Sequence, residues 1–569
     1  MSWFDALRTT VGARLGRGRV EREMNEEMSF HVEMETRRNV ERGMSLIEAR
    51  RIALRDFGGV ERLKEEVRDE RDARPLEQLV QDARYAARTL RRRPAFTAVA
   101  TLTLALGIGA TTALFGVVKA VLLTPLPYDR PASLVMVWSA WKGFNQTWLS
   151  YDEYEGWKDG IKAFSDVAIY TDDAVNLTEG NEPERLRAGS VTRQTFDVLG
   201  VRPEIGRGFT TEEDRPNGPN VVILGHDIWQ RRFGADPAII GRTVEINGAA
   251  AQVVGVMPAG FRLPLDFGAD GATQIWRPLA TDAQSEGAVP GPIFQRGGGS
   301  HGFYGIARLT TGATARDANR QLDGMVKQLK ADGYISKENG FHAFAVPMET
   351  QVTGQVRPAL LIVFGAVAFV LLIACANVAG LLLVRGEGRR RELALRVALG
   401  AGGSRLTRQL LTETLVLTSI GAGLGIALAA LAVRLIRVAA PATFPRIAET
   451  RLDPAVLGFA VAIALTAALL TGILPALQAM RLAPGAELKE GGRSATAGAA
   501  RLRWRQALVA IEVALAVVLV VGAGLMIRSV RNLFAIDTGF RTDGVLTMRL
   551  STPSTWYPDS VKVTVFHDE

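Results

Sequence analysis

At 569 residues the chain has room for several domains, and it combines a net charge of +8 with a positive mean hydropathy. A basic soluble protein would point to nucleic acid, but here the basic residues cluster beside long apolar runs, which points to a membrane protein with arginine-rich inner loops. The single cysteine, Cys375, excludes an intrachain disulfide and leaves no basis for a cysteine metal site.

The opening "MSWFDALRTTVGARLGRGRVEREMNEEM" holds no apolar stretch of the secretory-signal kind, so internal spans are expected to target the chain. Residues 1–74 are polar, with Leu46, Ala49, Ile52, Ala53 and Phe57 at helical spacing behind a Ser45/Glu48 capping pattern, and Gly58-Gly59 is placed to stop that helix. A small helical domain is predicted, the other reading being a solvated charged arm.

Five segments have about the 20 apolar residues that a bilayer demands: 96–123, 359–384, 410–432, 455–474 and 507–527. The first follows "QDARYAARTLRRRPAF", whose basic residues should stay in the cytoplasm. The N-terminus is then inside, 124–355 outside, 385–409 inside, "PATFPRIAETRLD" outside, and the basic loop 475–506 inside. Arg528 and Arg531, just beyond the fifth span, run against this alternation.

Residues 124–355 read as a mixed α/β domain. "TVEINGAAAQVVGVM" alternates about Asn247-Gly248, a hairpin signal. "SVTRQTFDVLGVRPEIGRGF" reads as a short helix, a Gly/Pro turn and a loop, and "VVILGHDIWQRRFG" as a buried strand leading into a helix, with His226-Asp227 in a polar turn.

Catalytic signatures are missing. The run "LTLALGIGATTALFG", with Gly107, Gly109 and Gly116, lacks the strand and acidic partner of a dinucleotide loop and is read as a helix-packing surface. No Gly-x4-Gly-Lys-Ser/Thr phosphate loop occurs, so ATP chemistry would belong to another polypeptide. The five histidines show no His-Glu-x-x-His spacing, and no nucleophile elbow accompanies His226. Glu413 and Glu512, near span ends, are expected to pair at the interface with Arg408 and Arg505, and Lys119 to snorkel.

The stretch 386–413, "GEGRRRELALRVALGAGGSRLTRQLLTE", carries Arg389, Arg390, Arg391, Arg396, Arg405 and Arg408 and no aromatic residue, which removes base stacking and with it nucleic acid. "RRRELALRVALGA" forms an amphipathic helix on paper, with Leu393, Val397 and Leu399 opposite the arginines and Gly400, Gly402 and Gly403 as its stop. Such a helix either rests on anionic lipid or docks into a cytoplasmic partner, and physics alone leaves both open.

"RRRELALRVALGAGGSRLTRQLLTETLVL" resembles the coupling segment of MacB/FtsX-like ABC transporter permeases. "LTLALGIGATTALFGVVKAVLLTPLPY" looks like their first span, and "DIWQRRFGADPAIIGRTVEINGAAAQVVGVMPAGF" like their periplasmic core domain. "RGMSLIEARRIALRDFGG" resembles the prefix domain of the duplicated orphan permeases, a branch described from acidobacteria. The resemblance implies an α-helical membrane protein of the bacterial inner membrane, with five spans, a mixed α/β extracytoplasmic domain and a small N-terminal helical cytoplasmic domain.

It further implies a non-catalytic permease subunit that binds no cofactor itself, ATP being held by a separate ABC ATPase subunit. A second permease unit, membrane lipid and a periplasmic adaptor are the other implied partners. ATPase motion would pass through the short inner helix to the outer domain, for efflux or mechanical work outside. By position, the coupling elements are Arg391, Glu392, Leu395, Arg396, Leu399, Gly400 and Ala401. The leading rival reading is a signalling or scaffold protein that regulates an outer partner without net transport; a second, a membrane-anchored hydrolase, is disfavoured by the missing catalytic constellation.

One departure stands out, because the duplicated branch has two permease units and this sequence has one plus a fifth span. "DGVLTMRLSTP" alternates like a first strand, with Val545, Thr547 and Arg549 opposite Leu546, Met548 and Leu550. Residues 533–569 are therefore expected to begin a second extracytoplasmic domain, incomplete and either poorly ordered or loosely docked.

Overall fold

The computed structural model describes residues 30, 33–34, 36–56, 74–178, 183–268, 271–279, 301–388, 403–441, 444–480, 495–536, 539 and 545. Its contacts divide the chain into two compact units. One comprises Met1–Ala105, Ala374–Leu424 and Val461–Ala510, the other Leu106–Ile373, Gly425–Ala460 and Ile511–Glu569.

Among the described residues, the second unit contains an eleven-stranded mixed sheet. Its strands are β1 (Leu134–Trp141), β2 (Phe144–Thr147), β3 (Phe164–Leu177), β4 (Glu184–Val191), β5 (Ile205–Gly206), β6 (Val221–Leu224), β7 (Thr243–Ile246), β8 (Ala249–Val256), β9 (Ile275–Pro278), β10 (Tyr304–Leu309) and β11 (His342–Pro347). They run in the order β11-β1-β10-β3-β4-β9-β6-β8-β5, with β2 on β1 and β7 on both β3 and β8.

Alternation along β1 feeds two cores, because successive side chains leave opposite faces of a strand. Leu134, Met136 and Trp138 enter one, with Phe196, Phe261 and Trp276. Val135 and Val137 enter the other, which is covered by Tyr154 and Trp157 of the Tyr151–Gly160 helix and by Ala318, Leu322, Val326 and Leu329 of the Ala315–Ala331 helix. Both helices start on a full capping box, Ser150 with Glu153 and Thr314 with Asp317, so their first N–H groups are satisfied without tertiary help. A third core lies under β4, β6, β7 and β8 and includes Val244, Val253, Leu224 and Trp229.

The hairpin forms as predicted, with β7 and β8 antiparallel and Ile246 opposite Ala249. Asn247 and Gly248 both take positive φ, 52° and 79°, the geometry that a two-residue turn of the primed type needs. Buried β6 leads directly into the His226–Phe233 helix. The segment after the Thr195–Leu199 helix is more than a loop, since Ile205 and Gly206 pair with Val256 and Gly255.

Among the described residues, five helices are long and apolar enough to cross a membrane: Pro94–Leu123, Arg357–Gly386, Thr407–Ala439, Pro454–Ile473 and Gln506–Phe534. Within the first unit, a Cβ added to Gly421 would lie 2.9 Å from the Leu104 side chain. Within the second, a Cβ on Gly109 would meet the Gly425 carbonyl at 2.8 Å, so the first and third spans touch backbone to backbone, as the glycine run predicts. Phe115 stacks on Phe459 at 3.8 Å, with Phe364 of the second span tilted against both. Lys119 does not snorkel freely: it is held in an ion pair by Asp453, which lies directly before the fourth span and is near enough to intercept it. On the fifth span Val513, Val517, Val520 and Leu525 are exposed.

At the N-terminal side, a helix covers Leu46–Asp56 and Ser45 Oγ accepts from the Glu48 N–H at 3.4 Å. Ala49 is buried, but Leu46 is 70% exposed, so the predicted stripe begins one turn later than its spacing suggests. Gly58-Gly59 lies outside the described residues, as does the strand expected over 543–553 except for Val545.

Candidate coupling site

The residues that the family resemblance marks for coupling, Arg391, Glu392, Leu395, Arg396, Leu399, Gly400 and Ala401, all lie in 389–402, outside the described residues. The two flanks of that segment are described. The Arg357–Gly388 helix leads into it and the Gly403–Ala439 helix leads away.

These flanks are tied together by a buried ion pair. Arg385 Nη2 stands 2.5 Å from Glu413 Oε1, with side chains only 6% and 7% exposed. Each charge is buried at the end of a long apolar run, where an unpartnered ion is costly, so each makes the other tolerable. The guanidinium also lies 4.8 Å from the ring centre of Phe96, at the start of the first span.

Neighbouring contacts extend the base. Arg408 Nε donates to Asp82 Oδ2 at 3.0 Å, which binds the third span to the amphipathic Arg74–Arg91 helix. That helix turns Asp82, Ala86 and Leu90 inward at four-residue spacing. Thr97 Oγ1 donates to the Leu90 carbonyl at 2.9 Å and so fixes the step from this helix into the first span. A Cβ on Gly472 of the fourth span would lie 3.1 Å from Leu411, close to Thr414.

The expected Glu413–Arg408 pairing is therefore corrected: Glu413 takes Arg385, and Arg408 takes Asp82. Helix geometry explains it, since residues five apart point about 140° away from each other around the axis. Arg385 was not singled out by sequence reasoning. The available signal was its place at the end of an apolar run, the position where an intramembrane cation needs a named partner. Glu512 is half-buried, and the side chain of Arg505, its expected partner, lies outside the described residues.

Chemically, the contacts of this arrangement hold its helices in position. Among the described residues no cluster of three His, Cys, Asp or Glu side chains could hold a metal ion. His226 opens its helix rather than sitting in a turn, and its Nδ1 lies 2.9 Å from Glu204 Oε2. Two buried carboxylates of the α/β domain close loops. Asp266 accepts from the Leu263 and Thr273 N–H groups and from the Thr273 hydroxyl. Glu213 receives both terminal nitrogens of Arg207, at 2.7 and 2.8 Å, and the Thr210 N–H.

Comparison with known proteins adds to this geometry. The MacB-like periplasmic core domain family matches residues 97–325, and the FtsX-like permease C-terminal family matches 364–484. The pyoverdine export ATP-binding/permease protein PvdT of Pseudomonas syringae pv. syringae (strain B728a) is 27% identical over 52% of this chain and 41% of its own length. The macrolide export ATP-binding/permease protein MacB of Azoarcus sp. (strain BH72) is 28% identical over 55% of this chain and 43% of its own. This chain thus spans less than half the length of either relative. The solved periplasmic region of MacB from Actinobacillus actinomycetemcomitans aligns at a TM-score of 0.29 and 17% identity, over 41% of this chain and 97% of that one.

Proposed function

The chain is a MacB/FtsX-like ABC transporter permease, and from that premise we propose that it transmits the motion of a separate ATPase subunit to its α/β domain, for export or mechanical work outside the membrane. ATP sits on the partner, and no phosphate loop occurs in this sequence. The relatives' names join an ATP-binding and a permease part. The regions matched here are the permease part.

The observation that carries the reading is the Arg385–Glu413 pair. It clamps the two helices on either side of 389–402, so a push on that segment is delivered to the second and third spans together instead of being absorbed by their separation. Arg391, Glu392, Leu395, Arg396, Leu399, Gly400 and Ala401 would form the docking helix, with the N-terminus and 385–409 on the cytoplasmic side. A second permease unit, lipid under the arginines and a periplasmic adaptor complete the assembly. The prefix-like segment, in which the Leu46–Asp56 helix falls, supports membership of the duplicated orphan branch.

The test is capture from native membranes. The purified chain alone should hydrolyse no ATP, and hydrolysis should appear with a co-purified ABC ATPase. Glu392→Arg combined with Arg396→Glu should lose that ATPase while inserting normally, since breaking one side of a desolvated charge contact costs about 2–5 kcal/mol. Capture of the ATPase by the double reversal at the wild-type level, or hydrolysis by the lone chain, would overturn the proposal.

A further inference from the structure

The first span does not end in ordinary helix. Lys119–Leu123 forms a π turn, Thr124 is extended, and the chain runs through "TPLPYDRP" into β1. Pro125, Pro127 and Pro131 fix three φ angles in that passage, which makes it a stiff connector.

A buried arginine stands at each end of the connector. At the span end, Arg446 of the loop between the third and fourth spans adopts left-handed backbone (φ 58°, ψ 15°) and buries its side chain to 2% exposure. Its Nη1 donates to the Thr124 carbonyl at 2.5 Å and its Nη2 to the Pro125 carbonyl at 3.2 Å. Nη2 and Nε also reach Glu449, at 2.7 and 3.1 Å. The Lys119–Asp453 pair and the apolar cluster of Val121, Leu360 and Ile447 hold the same junction.

At the domain end, Arg308 of β10 donates from Nη2 to the Asp129 carbonyl and from Nη1 to Ser133 Oγ, both at 2.8 Å, and from Nε to the Val198 carbonyl at 2.9 Å. Tyr128, itself buried, donates its hydroxyl to the Arg262 carbonyl at 2.8 Å. The connector's own carbonyls are thus the acceptors at both ends.

We propose that residues 124–133 are a strut, gripped by Arg446 at the span end and Arg308 at the domain end, through which displacement of the third and fourth spans reaches the α/β domain. Arg446 is the positioning residue. Planar, multi-donor geometry lets one side chain hold two successive carbonyls, which a lysine ammonium cannot match. The function of the strut rests on the permease reading above; its rigidity does not.

The test uses the full chain in lipid nanodiscs with Cys375→Ala, carrying spin labels at Lys327→Cys on the exposed face of the Ala315–Ala331 helix and Arg451→Cys in the loop between the third and fourth spans. The wild-type background should give one narrow distance distribution, broadened in Arg446→Gln and in Arg308→Gln and partly restored in Arg446→Lys. Near-ultraviolet circular dichroism should show the domain still folded. An equally narrow distribution in Arg446→Gln overturns the strut.

A second arm uses the ATPase complex and the distance between Lys327→Cys labels on two permease units. A shift with a non-hydrolysable ATP analogue that is lost in Arg446→Gln supports transmission through the strut, and a shift that persists overturns it. No shift in wild type, with the intrachain distribution still narrow, overturns the permease reading and leaves the strut's rigidity established.

Discussion

Arg385 meets the full negative charge of Glu413 at 2.5 Å, with both side chains less than a tenth exposed. Arg446 is buried as deeply but divides its donors between two backbone carbonyls and Glu449, a carboxylate that is 41% exposed. The difference follows from what each place can supply. Arg385 lies in the last turn of its helix, the carbonyls of the turn before it are already used by the helix, and the cation draws a carboxylate from a neighbour. Where helix has just ended, carbonyls are left without helical partners and a cation can take them instead. Loss of a partner therefore has unlike consequences: the first site loses a buried counter-charge, the second undergoes a graded loss of hydrogen bonds.

The largest effect is expected at the first site. Glu413→Ala takes the buried counter-charge from Arg385 and should destabilise the chain by about 3–5 kcal/mol, whereas removing both charges together, as Arg385→Met with Glu413→Leu, should restore most of that loss. Thermal unfolding in detergent reads both. If the double replacement is no better than the single one, the pair is not the source of the cost. At the second site Arg446→Ala should cost about 2–3 kcal/mol from its charge-assisted bonds. Glu449→Gln should cost less than about 1 kcal/mol, because its carboxylate is still wetted. Equal losses for Glu413→Ala and Glu449→Gln would erase the distinction.

Local signals made part of this architecture legible. The spans could be read from length and apolarity alone, and the Asn247-Gly248 hairpin from a turn whose two positive φ angles few other residue pairs accept. The sites resisted the same approach because their partners are remote. Arg446 and Thr124 are 322 residues apart. Glu413 has a nearer arginine, Arg408, which the helix turns the wrong way. The order of the sheet is equally non-local: β4 pairs with β9 in parallel across intervening elements, which no periodicity reports. Of the candidate coupling site, sequence marks the segment 385–409 through family resemblance, while the Arg385–Glu413 pair emerges only from tertiary contact.

Helix packing gives a smaller contrast of the same kind. Gly109→Ala would drive a methyl to 2.8 Å from the Gly425 carbonyl and should cost about 1–3 kcal/mol through forced separation of the first and third spans. Gly365 has nothing within 4 Å of its added Cβ. Gly365→Ala should be neutral or stabilising by up to about 1 kcal/mol, since alanine is the better helix former. Unfolding temperatures that move together in the two variants would count against close packing at Gly109.

The smallest effect concerns two buried carboxylates of the α/β domain, where the identity of the partner again decides the outcome. Burial raises the pKa of Asp266, and the Thr273 and Leu263 N–H groups only partly oppose it. For Glu213, burial pushes upward as well, but Arg207, then the Thr210 N–H, outweigh it and hold the carboxyl below its usual value. The signs are opposite. Asp266 binds its proton more tightly folded than unfolded, so its contribution to stability is present below the unfolded carboxylate value, about 4, and fades as pH rises through the raised folded value. Glu213 contributes above about 4, the unfolded value, and loses that contribution as pH falls through its lowered folded value. Asp266→Asn should thus gain relative to wild type as pH rises from about 4 to 7. Arg207→Gln should be weakest at neutral pH, by no more than about 1 kcal/mol given the exposure of the arginine, and should approach wild type in acid. Tryptophan fluorescence during thermal unfolding across this range measures both differences. Two difference curves of the same slope would show that burial alone, and not the partner, sets the behaviour of these carboxylates.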